Sequence, residues 1–453
     1  MSRLAGRMKA DVAELAAQFN VAGVAYAIDV GGDVVEAHHG VTHVEHPLPV
    51  DGDTLFQIAS MSKPFAATVV MMLVEDGRLG LDDPVARHVP DFATVGGVHD
   101  AGITVRHLLT HTAGWDGDEL LVRSVPDGTL ADAPAVMSNA RQLVEPGTDF
   151  TYNNGGFAIA GRLVEYVTGQ PFATVLRERI LEPIGLGRTV TNADEAILHR
   201  VAMRHDVRGG EPQVMYDPSW QPGWALAPID LPVGGLISST NDLLTWLGCW
   251  LQRGDDQLSL SASTRSMMCE PHAGWYNPTT SQGVGWAVRH VAGVTIHAHG
   301  GLTAGYCSYS LFCPELDLAA AVLTNSTTGT PLCKAVTDRL MGYLGTEDVV
   351  GSPDVLASVD QARLAGAYSG SFGIITVTAD VDQLTLTTER HPTAPGEWQP
   401  ATEHPRTAKM YSPDHAVVTT PAAYEGTLVD FAPSAPGEPA VWLRSGGRIH
   451  TRV

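Results

Sequence analysis

The stretch FQIASMSKPFAATVVMML, residues 56–73, places a serine and a lysine three residues apart where an apolar helical run begins. Its second half has almost no polar side chain, which predicts a helix buried within a core. An ammonium group at the edge of such a helix is costly unless it is paired or gives up its proton. Lys63 therefore either extends to solvent or is tuned for chemistry with Ser60.

Ser60 and Lys63 meet the local requirements of an acyl-transfer site. A serine hydroxyl is a weak nucleophile at neutral pH and needs a base and donors for the developing oxyanion. Residues three apart lie on one helix face with Cβ atoms about 5–6 Å apart, and desolvation with a neighbouring cation lowers the pKa of a lysine. Ser60 at the helix start leaves its backbone N–H free for an oxyanion, and Pro64 suits the first turn. The S-x-x-K pattern alone, however, occurs by chance in many chains.

Composition and charge exclude several classes of function. The chain has 453 residues, 44% hydrophobic and 17% charged, which predicts a globular protein of at least two domains. Its net charge of −22 repels phosphate backbones and anionic membrane surfaces, so we expect neither a nucleic-acid nor a membrane partner. Residues 1–19 predict a charged amphipathic helix rather than a signal peptide, and no apolar run reaches the length of a membrane span. We therefore expect a cytoplasmic protein.

The order of strand and helix patterns predicts a sheet whose strands come from both ends of a first domain. Residues 21–35 alternate apolar and small side chains around Gly-Gly-Asp, which predicts a hairpin. Helical patterns and then short turn-bounded strands follow. The helices are predicted at 105–111, 158–169 and 171–185, and the strands at 285–291, 295–301, 309–314 and 318–325.

Long helical patterns end near residue 345. From residue 368 onward, short alternating runs are separated by Gly, Pro and Asp, which predicts a small antiparallel β-barrel. We expect a catalytic domain at 1–345, a linker at 346–355 and a β domain at 356–453.

Two further motifs strengthen the case for the serine–lysine pair. The segment EPGTDFTYNNGGFAIAG carries Tyr152 and Asn154 at a turn before a helix, and HAHGGLTAGY carries His299 on a short strand before a glycine-rich turn. In this order and spacing, S-x-x-K, Y-x-N and H-x-G resemble the three motifs of the penicillin-recognising serine enzymes, which include class C β-lactamases, D,D-peptidases and related esterases. Similar blocks cover most of residues 20–340.

This resemblance implies a fold. The family has an α+β, β-lactamase/transpeptidase-like fold, in which an antiparallel sheet is flanked by helices and the site lies in a cleft beside an all-helical subdomain. The C-terminal β domain resembles the lipocalin-like antiparallel barrel that some relatives carry.

Carried onto this sequence, the resemblance also implies a role for each motif residue. Ser60 would be the nucleophile and Lys63 its base or proton acceptor. Tyr152, as a phenolate or through a hydrogen bond, would relay the proton to the leaving group and later activate the second nucleophile. Asn154 would position Lys63 and the acyl amide. His299 stands where many relatives have the lysine of K-T-G, so the substrate-anchoring positive charge is weak or absent near pH 7. That departure puts β-lactam hydrolysis in doubt.

The same resemblance implies an oxyanion hole and a substrate cleft. The backbone N–H groups of Ser60 and Leu302 would form the oxyanion hole. Arg448 is an alternative to Arg444 for contact with a peptide carboxylate or carbonyl, and His111 is expected to be structural. The expected substrate contacts are Gly300, Gly301, Trp115, Tyr306 and Arg444.

The histidine-rich stretch AHHGVTHVEH invites a metal site at His38, His39, His43 and His46. The family uses no metal, and the stretch is expected on an exposed hairpin. We therefore expect neither a metal nor another cofactor.

The motifs fix an acyl-enzyme pathway but not the acyl group or its acceptor. The missing export signal, the histidine in the third motif and the C-terminal β domain together resemble the stand-alone penicillin-binding-protein-type thioesterases, such as the surugamide cyclase, which release and cyclise non-ribosomal peptides. This implies a peptidyl thioester substrate, free or on a peptidyl carrier protein, with a D-configured acyl terminus and the peptide's own amine as acceptor. Two alternatives stay open: a hydrolase on the same scaffold, such as an esterase, D-aminopeptidase or amidase, and a non-catalytic binding protein.

Overall fold

In the computed structural model, the chain forms an α+β domain followed by a closed β-barrel. The structure describes residues 2–92, 102–122, 127–215, 224, 226–251, 258–275, 279–346, 356, 360–391, 404–421, 427–433, 435 and 437–453.

The helices and strands are numbered in chain order. Helices α1 to α13 are Ser2–Gln18, Ser62–Glu75, Val85–His88, Val105–Leu109, Glu119–Val122, Ala133–Met137, Asn154–Thr168, Phe172–Leu176, Ala193–Ala196, Leu231–Gly234, Thr240–Trp250, Ala262–Cys269 and Gly329–Tyr343. Strands β1 to β12 are Gly23–Val30, Asp33–Gly40, Phe56–Gln57, His205–Arg208, Glu211–Val214, Ile237–Ser238, Ala273–Gly274, Thr280–Gln282, Ala287–Val291, Val294–Thr303, Tyr306–Cys313 and Leu318–Thr324. Strands β13 to β20 are Gly366–Gly370, Gly373–Ala379, Leu384–Arg390, Arg406–Ser412, His415–Thr420, Leu428–Pro433, Ala440–Ser445 and Arg448–Arg452.

An eight-stranded antiparallel sheet in the order β2-β1-β12-β11-β10-β9-β8-β7 organises the first domain. The hairpin β1–β2 turns at Gly31 and Gly32, whose φ angles of 63° and 90° fit a type I′ turn. Strand β1 then pairs with the late strand β12, with Val24 opposite Thr324. The sheet is therefore built from both ends of the domain, as the sequence predicts.

Helices cover both faces of this sheet. Helix α2 is buried from Ser62 to Leu73, because apolar side chains surround its axis, and it lies in the larger hydrophobic core. Helices α1 and α13 cover the opposite face, where residues such as Val12 and Leu340 pack in a second core. The α+β fold class predicted from the sequence is confirmed. Among the described residues, no helix has both the length and the apolarity to cross a bilayer.

The C-terminal strands close into an eight-stranded barrel. Each strand pairs with its neighbour along the chain, and β13 pairs with β20 to close the circle. Alternate residues of the strands point inward, so that Tyr368, Phe431 and Leu443 share one core. This closure confirms the predicted lipocalin-like barrel. The predicted linker lies, apart from Thr346, outside the described residues, and the domain limits at 345 and 356 remain predictions.

The turn between β19 and β20 docks on the segment that precedes α7. The Tyr152 N–H donates to the Gly447 carbonyl (2.8 Å), and the Ile449 N–H donates to Thr151 Oγ1 (3.2 Å). The barrel therefore holds the chain at a residue of the second predicted motif.

Candidate active site

Ser60 lies on a short 3-10 turn, Ala59–Met61, that leads directly into α2. Ala59 has a φ of 49°, a left-handed conformation that residues with a side chain rarely adopt. Two hydrogen bonds hold the turn. Ser62 Oγ donates to the Ala59 carbonyl (2.8 Å), and Ser308 Oγ donates to the Ile58 carbonyl (2.8 Å). This fixed turn places Ser60 on the wall of a cleft.

Lys63 is fully buried, and its side-chain nitrogen contacts three oxygens. Nζ lies 3.1 Å from Ser60 Oγ, 2.8 Å from Asn154 Oδ1 and 2.7 Å from the Val233 carbonyl. The lysine therefore does not extend to solvent. A neutral amine has two N–H groups, which the amide and carbonyl oxygens can accept, and one lone pair, which is left for the Ser60 hydroxyl proton.

Burial gives Lys63 the character of a base. Desolvation is the main cause that moves the pKa of Lys63 well below its ordinary value, and the nearby Arg448 guanidinium lowers this pKa further. The carboxylates of Asp118 and Asp230 act in the opposite sense. A lysine whose pKa is lowered in this way can accept the serine proton.

Tyr152 lies between three charged or aromatic groups. Its ring centroid is 5.0 Å from Lys63 Nζ and 5.0 Å from Arg448 Cζ, and His111 stacks on it at 4.4 Å. Desolvation raises the pKa of Tyr152 to about 12, against the opposing effects of a hydrogen bond with Ser60 and of Arg448. The resting phenol is therefore protonated at neutral pH. Of the two routes open to this residue, a hydrogen-bonded proton relay fits this state better than a resting phenolate.

His111 supports the Tyr152 segment through its backbone. Its Nδ1 accepts the Asn153 N–H (2.9 Å), and its carbonyl accepts the Thr151 N–H (2.9 Å). Desolvation lowers the pKa of His111 well below its ordinary value, so the ring is neutral. His111 thus bonds the backbone of a loop, which fits the structural role predicted for it.

His299 occupies the third motif on β10 as a neutral ring. Its Nδ1 donates to the Gly300 carbonyl (2.7 Å), and its ring centroid lies 6.4 Å from that of Tyr152. Desolvation, assisted by Lys63, lowers the pKa of His299 to about 3. The third motif therefore supplies no positive charge at pH 7.

Strand β10 extends past its neighbour β9 alongside the nucleophile turn. Pairing with β9 ends at Ala298, whereas pairing with β11 continues to Thr303. Gly301 lies on this extension, and a Cβ there would come within 2.3 Å of the Ile58 carbonyl oxygen, so the two backbones approach too closely for a side chain. Leu302, the second predicted oxyanion donor, follows on the same segment.

Both domains wall the cleft over Ser60. The first domain contributes residues around Tyr152, Asp230 and His299, and the barrel contributes residues around Phe372 and Arg448. The cavity, about 1680 Å³ in all, also includes space along β11 and α13, so only part of this volume lies over Ser60, because α13 covers the other face of the sheet.

Comparison with known sequences assigns the family. Residues 8–343 match the family described as Beta-lactamase. The chain belongs to the β-lactamase family. Penicillin-binding protein 4 of Amycolatopsis lactamdurans is 33% identical over 370 residues, which cover 79% of this chain and 96% of that protein. The protein is thus a serine enzyme of the fold that β-lactamases share with penicillin-binding proteins.

Solved structures similar to this β-lactamase-family chain differ in how much of it they cover. The crystal structure of SurE is 24% identical with a TM-score of 0.76, and the match covers 99% of each chain. A second structure of SurE contains D-Leu. The D-amino acid amidase of Ochrobactrum anthropi SV3, solved with L-phenylalanine amide, is 25% identical with a TM-score of 0.62 and covers 75% of this chain and 97% of its own. The likeness to SurE therefore includes the fold of both domains.

Sequence reasoning missed the contacts of Asp118. This buried carboxylate accepts a hydrogen bond from Asn154 Nδ2 (2.7 Å) and forms an ion pair with Arg448 of the barrel. The surrounding sequence WDGDEL is typical of a polar loop with solvent-exposed aspartates, so it does not indicate that Asp118 is buried and paired.

Asp230 was also missed, although it lines the cleft near Lys63. Desolvation raises the pKa of Asp230 to about 6, while Lys63 opposes this rise. This residue precedes α10, whose Val233 carbonyl accepts a hydrogen bond from Lys63.

Three of the predicted substrate contacts lie away from the cleft wall and are corrected. Trp115 is fully buried and packs against Phe92, with ring centroids 5.3 Å apart. Tyr306 is fully buried, and its hydroxyl donates to the Ala202 carbonyl (2.6 Å). In each case tertiary packing takes up a side chain whose type alone suggested a ligand contact.

Arg444 is the third of these corrections. It is buried, pairs with Asp430 and donates to the Phe150 carbonyl (2.6 Å), so it joins the barrel to the catalytic domain. By contrast, Gly300 and Gly301 line the cleft, and their contact with substrate stays a prediction.

The histidine-rich stretch does not assemble a metal site in the part of the chain that the structure describes. There, no group of three or more His, Cys, Asp or Glu side chains could hold a metal ion. His43 lies with its ring 5.0 Å from that of His46 and 6.2 Å from that of His205.

Proposed function

We propose that the protein is a stand-alone thioesterase that takes a peptidyl group onto Ser60 and releases it as a macrolactam. In the first step, Ser60 Oγ attacks the thioester carbonyl while Lys63 Nζ accepts the hydroxyl proton. The C–S bond then breaks, and the departing thiolate takes a proton through Tyr152, which regains it from Lys63. The products of this half-reaction are a free thiol and a Ser60 ester.

The second half-reaction reverses these proton movements. The peptide's own amine attacks the Ser60 ester, an amide bond forms and the ester C–O bond breaks. The proton lost by the amine returns through Tyr152 and Lys63 to Ser60 Oγ, so the enzyme ends as it began. The oxyanion of both tetrahedral intermediates would be bound by the N–H groups of Ser60 and Leu302.

The observation that carries this proposal is the geometry of Lys63. Its nitrogen lies 3.1 Å from Ser60 Oγ, and two other oxygens occupy its remaining donors, so the lone pair is directed at the nucleophile. A binding protein without catalysis has no need to bury a lysine of lowered pKa beside a serine. The geometry therefore favours an acyl-enzyme over a non-catalytic role.

The choice of a peptide as the acyl group is supported by the cleft and by fold likeness. The barrel residues Phe372 and Arg448 extend the cleft wall beyond the three motifs, which suits a long acyl chain better than a small ester. The fold of SurE covers both domains of this chain, and SurE has been solved with D-Leu. On this basis we propose a D-configured residue at the acyl terminus, delivered as a thioester on a carrier protein or in free form.

A hydrolase on the same scaffold is the second candidate. The match to the D-amino acid amidase of Ochrobactrum anthropi covers 75% of this chain at 25% identity. In a hydrolase, water would deacylate Ser60 by the same proton path. The two reactions differ in whether the cleft holds an amine in line with the ester and keeps water away from it.

The decisive experiment supplies the purified protein with a peptidyl N-acetylcysteamine thioester that has a free amine and a D-residue at the acyl end. The same peptide with an L-residue there tests the configuration. Products are separated by mass spectrometry, because the cyclic peptide is one water lighter than the linear acid. Ser60→Ala removes the nucleophile, and Ser266→Ala, at an exposed serine of α12, is the matched control.

A cyclic product that depends on Ser60 and prefers the D-terminated substrate would support the cyclase. A linear acid that depends on Ser60, without cyclic product, would refute cyclisation and favour the hydrolase. Turnover that Ser60→Ala leaves intact would refute the acyl-enzyme itself.

A further inference from the structure

A continuous chain of polar contacts runs from the barrel to the nucleophile. Arg448 of β20 forms an ion pair with Asp118, and Asp118 Oδ1 accepts from Asn154 Nδ2 (2.7 Å). Asn154 Oδ1 accepts from Lys63 Nζ (2.8 Å), which lies 3.1 Å from Ser60 Oγ. Asp118 is buried, with 4% of its side chain exposed, and Arg448 is about one-third exposed.

Asp118 decides which way the Asn154 amide points. A carboxamide has a donor at one end and an acceptor at the other, and its two orientations have nearly the same shape. A carboxylate can only accept, so Asp118 binds the NH₂ end and leaves Oδ1 for Lys63. The opposite orientation would set NH₂ against the N–H groups of Lys63 and oxygen against oxygen at Asp118.

The charge on Asp118 is balanced by Arg448. Asp118 raises the pKa of Lys63 and Arg448 lowers it, so the ion pair orients Asn154 while its two charges act on the base in opposite directions. The charged and titratable groups that act on or contact Lys63 are Tyr152, His111, His299, Asp118, Asp230 and Arg448.

We infer that Asp118 is a positioning residue through which Arg448 of the barrel holds Asn154 and Lys63 in their reactive arrangement. The barrel delivers this arginine on the tight turn between β19 and β20, where Gly446 and Gly447 have φ angles of 59° and 77°. The same turn accepts the Tyr152 N–H at the Gly447 carbonyl. The tip of one barrel hairpin therefore supports two motifs of the catalytic domain. The inference rests on Lys63 acting as the base of the proposed function.

The test measures the acylation half-reaction alone, with p-nitrophenyl butyrate, as a function of pH. Asp118→Asn keeps the shape but removes the charge that fixes the amide, and Arg448→Gln removes the balancing cation. We expect Asp118→Asn to lower the acylation rate about 100-fold with little change in KM, because a misplaced base loses rate rather than binding. Asp127→Asn, at an exposed aspartate of the same domain, is the matched control.

The pH profiles carry the sharpest signature. Acylation requires neutral Lys63, so its rate rises with pH through the pKa of this lysine. Removing the Arg448 charge should move this acid limb to higher pH, and removing the Asp118 charge should move it to lower pH. The double variant should have a limb between those of the single variants. A role confined to folding, without electrostatic contact with Lys63, would shift neither limb.

The outcomes separate this inference from the proposed function. A lower acylation rate in Asp118→Asn together with opposite shifts of the two limbs, at unchanged thermal unfolding, supports the positioning role, whether or not a cyclic peptide forms. Limbs that stay in place, or that move in the same direction in both variants, overturn it even if wild-type protein cyclises peptides. If wild-type Ser60 is not acylated by the ester or by a fluorophosphonate, the acyl-enzyme of the proposed function fails first. If Asp118→Asn does not fold, the limb of Arg448→Gln still decides, because an unchanged limb overturns the inference.

Discussion

Replacing Arg444 by methionine tests whether this arginine joins the two domains or contacts substrate. Arg444 Nε and Nη2 lie 3.1 and 2.6 Å from the two carboxylate oxygens of Asp430, and Nη1 donates to the Phe150 carbonyl at 2.6 Å. Only 7% and 6% of the two paired side chains are exposed. Arg444→Met therefore leaves a buried carboxylate without its cation and a backbone carbonyl without this donor.

The expected loss follows from these contacts. Breaking one side of a buried, hydrogen-bonded ion pair destabilises a protein by about 3–5 kcal/mol. Arg444→Met/Asp430→Leu removes both charges, so it should lose only the about 1–3 kcal/mol of an unsatisfied buried acceptor at Phe150. The double variant should thus be more stable than Arg444→Met, although it carries one more substitution.

Urea unfolding of wild type, Arg444→Met, Asp430→Leu and the double variant measures these differences as one double-mutant cycle. Steady-state kinetics at low temperature, where every variant is folded, supplies the second readout. We expect KM for a peptidyl thioester to be unchanged in Arg444→Met. A variant as stable as wild type whose KM is clearly raised would refute the interface role and restore Arg444 as a substrate contact.

Three further predictions concern the catalytic domain. Gly301→Ala should lower the acylation burst about tenfold, because its Cβ would lie 2.3 Å from the Ile58 carbonyl oxygen. Gly300→Ala should keep the burst, because its Cβ would have no neighbour nearer than 3.5 Å. Equal bursts in the two variants would contradict this. The acid limb of the pH profile of wild-type kcat/KM should lie well below the ordinary lysine pKa, because burial lowers the pKa of Lys63. Lys63→Met should abolish acylation. A limb at about 10.4 would argue against Lys63 as a buried base. His299→Lys should place a cation where the neutral ring lies and lower KM for an ester with a free carboxylate relative to its methyl ester; a KM ratio equal to that of wild type would count against it.

The parts of the site that the sequence predicts are those defined by local spacing. Ser60 and Lys63 are one helical turn apart, so the helix alone brings them together. Tyr152 and His299 each belong to a short motif at a recognisable turn or strand, and the fold brings them to the same cleft. Resemblance to a family adds the order of these motifs, which no single segment contains.

The parts that the sequence does not predict depend on packing between distant segments. Asp118 and Arg448 are 330 residues apart, and nothing in either neighbourhood indicates that they pair. Trp115 and Tyr306 have side chains of the type that often contacts ligands, yet both are buried in the core, and the Tyr306 hydroxyl donates to the Ala202 carbonyl. Exposure to a cleft is a property of the assembled fold, whereas residue type is local, and this difference accounts for the wrong assignments.

The distribution of charge around Ser60 explains why the barrel belongs to the active site. His299 is neutral because it is desolvated, so the third motif cannot offset a carboxylate near Lys63. Asp118 nevertheless has to be charged to orient Asn154, and a lone buried carboxylate there would raise the pKa of the base. Arg448 resolves this conflict from outside the catalytic domain, since its guanidinium opposes the effect of Asp118 on the pKa of Lys63. A catalytic domain with these residues but without the β19–β20 turn would therefore hold either a misplaced base or a protonated one.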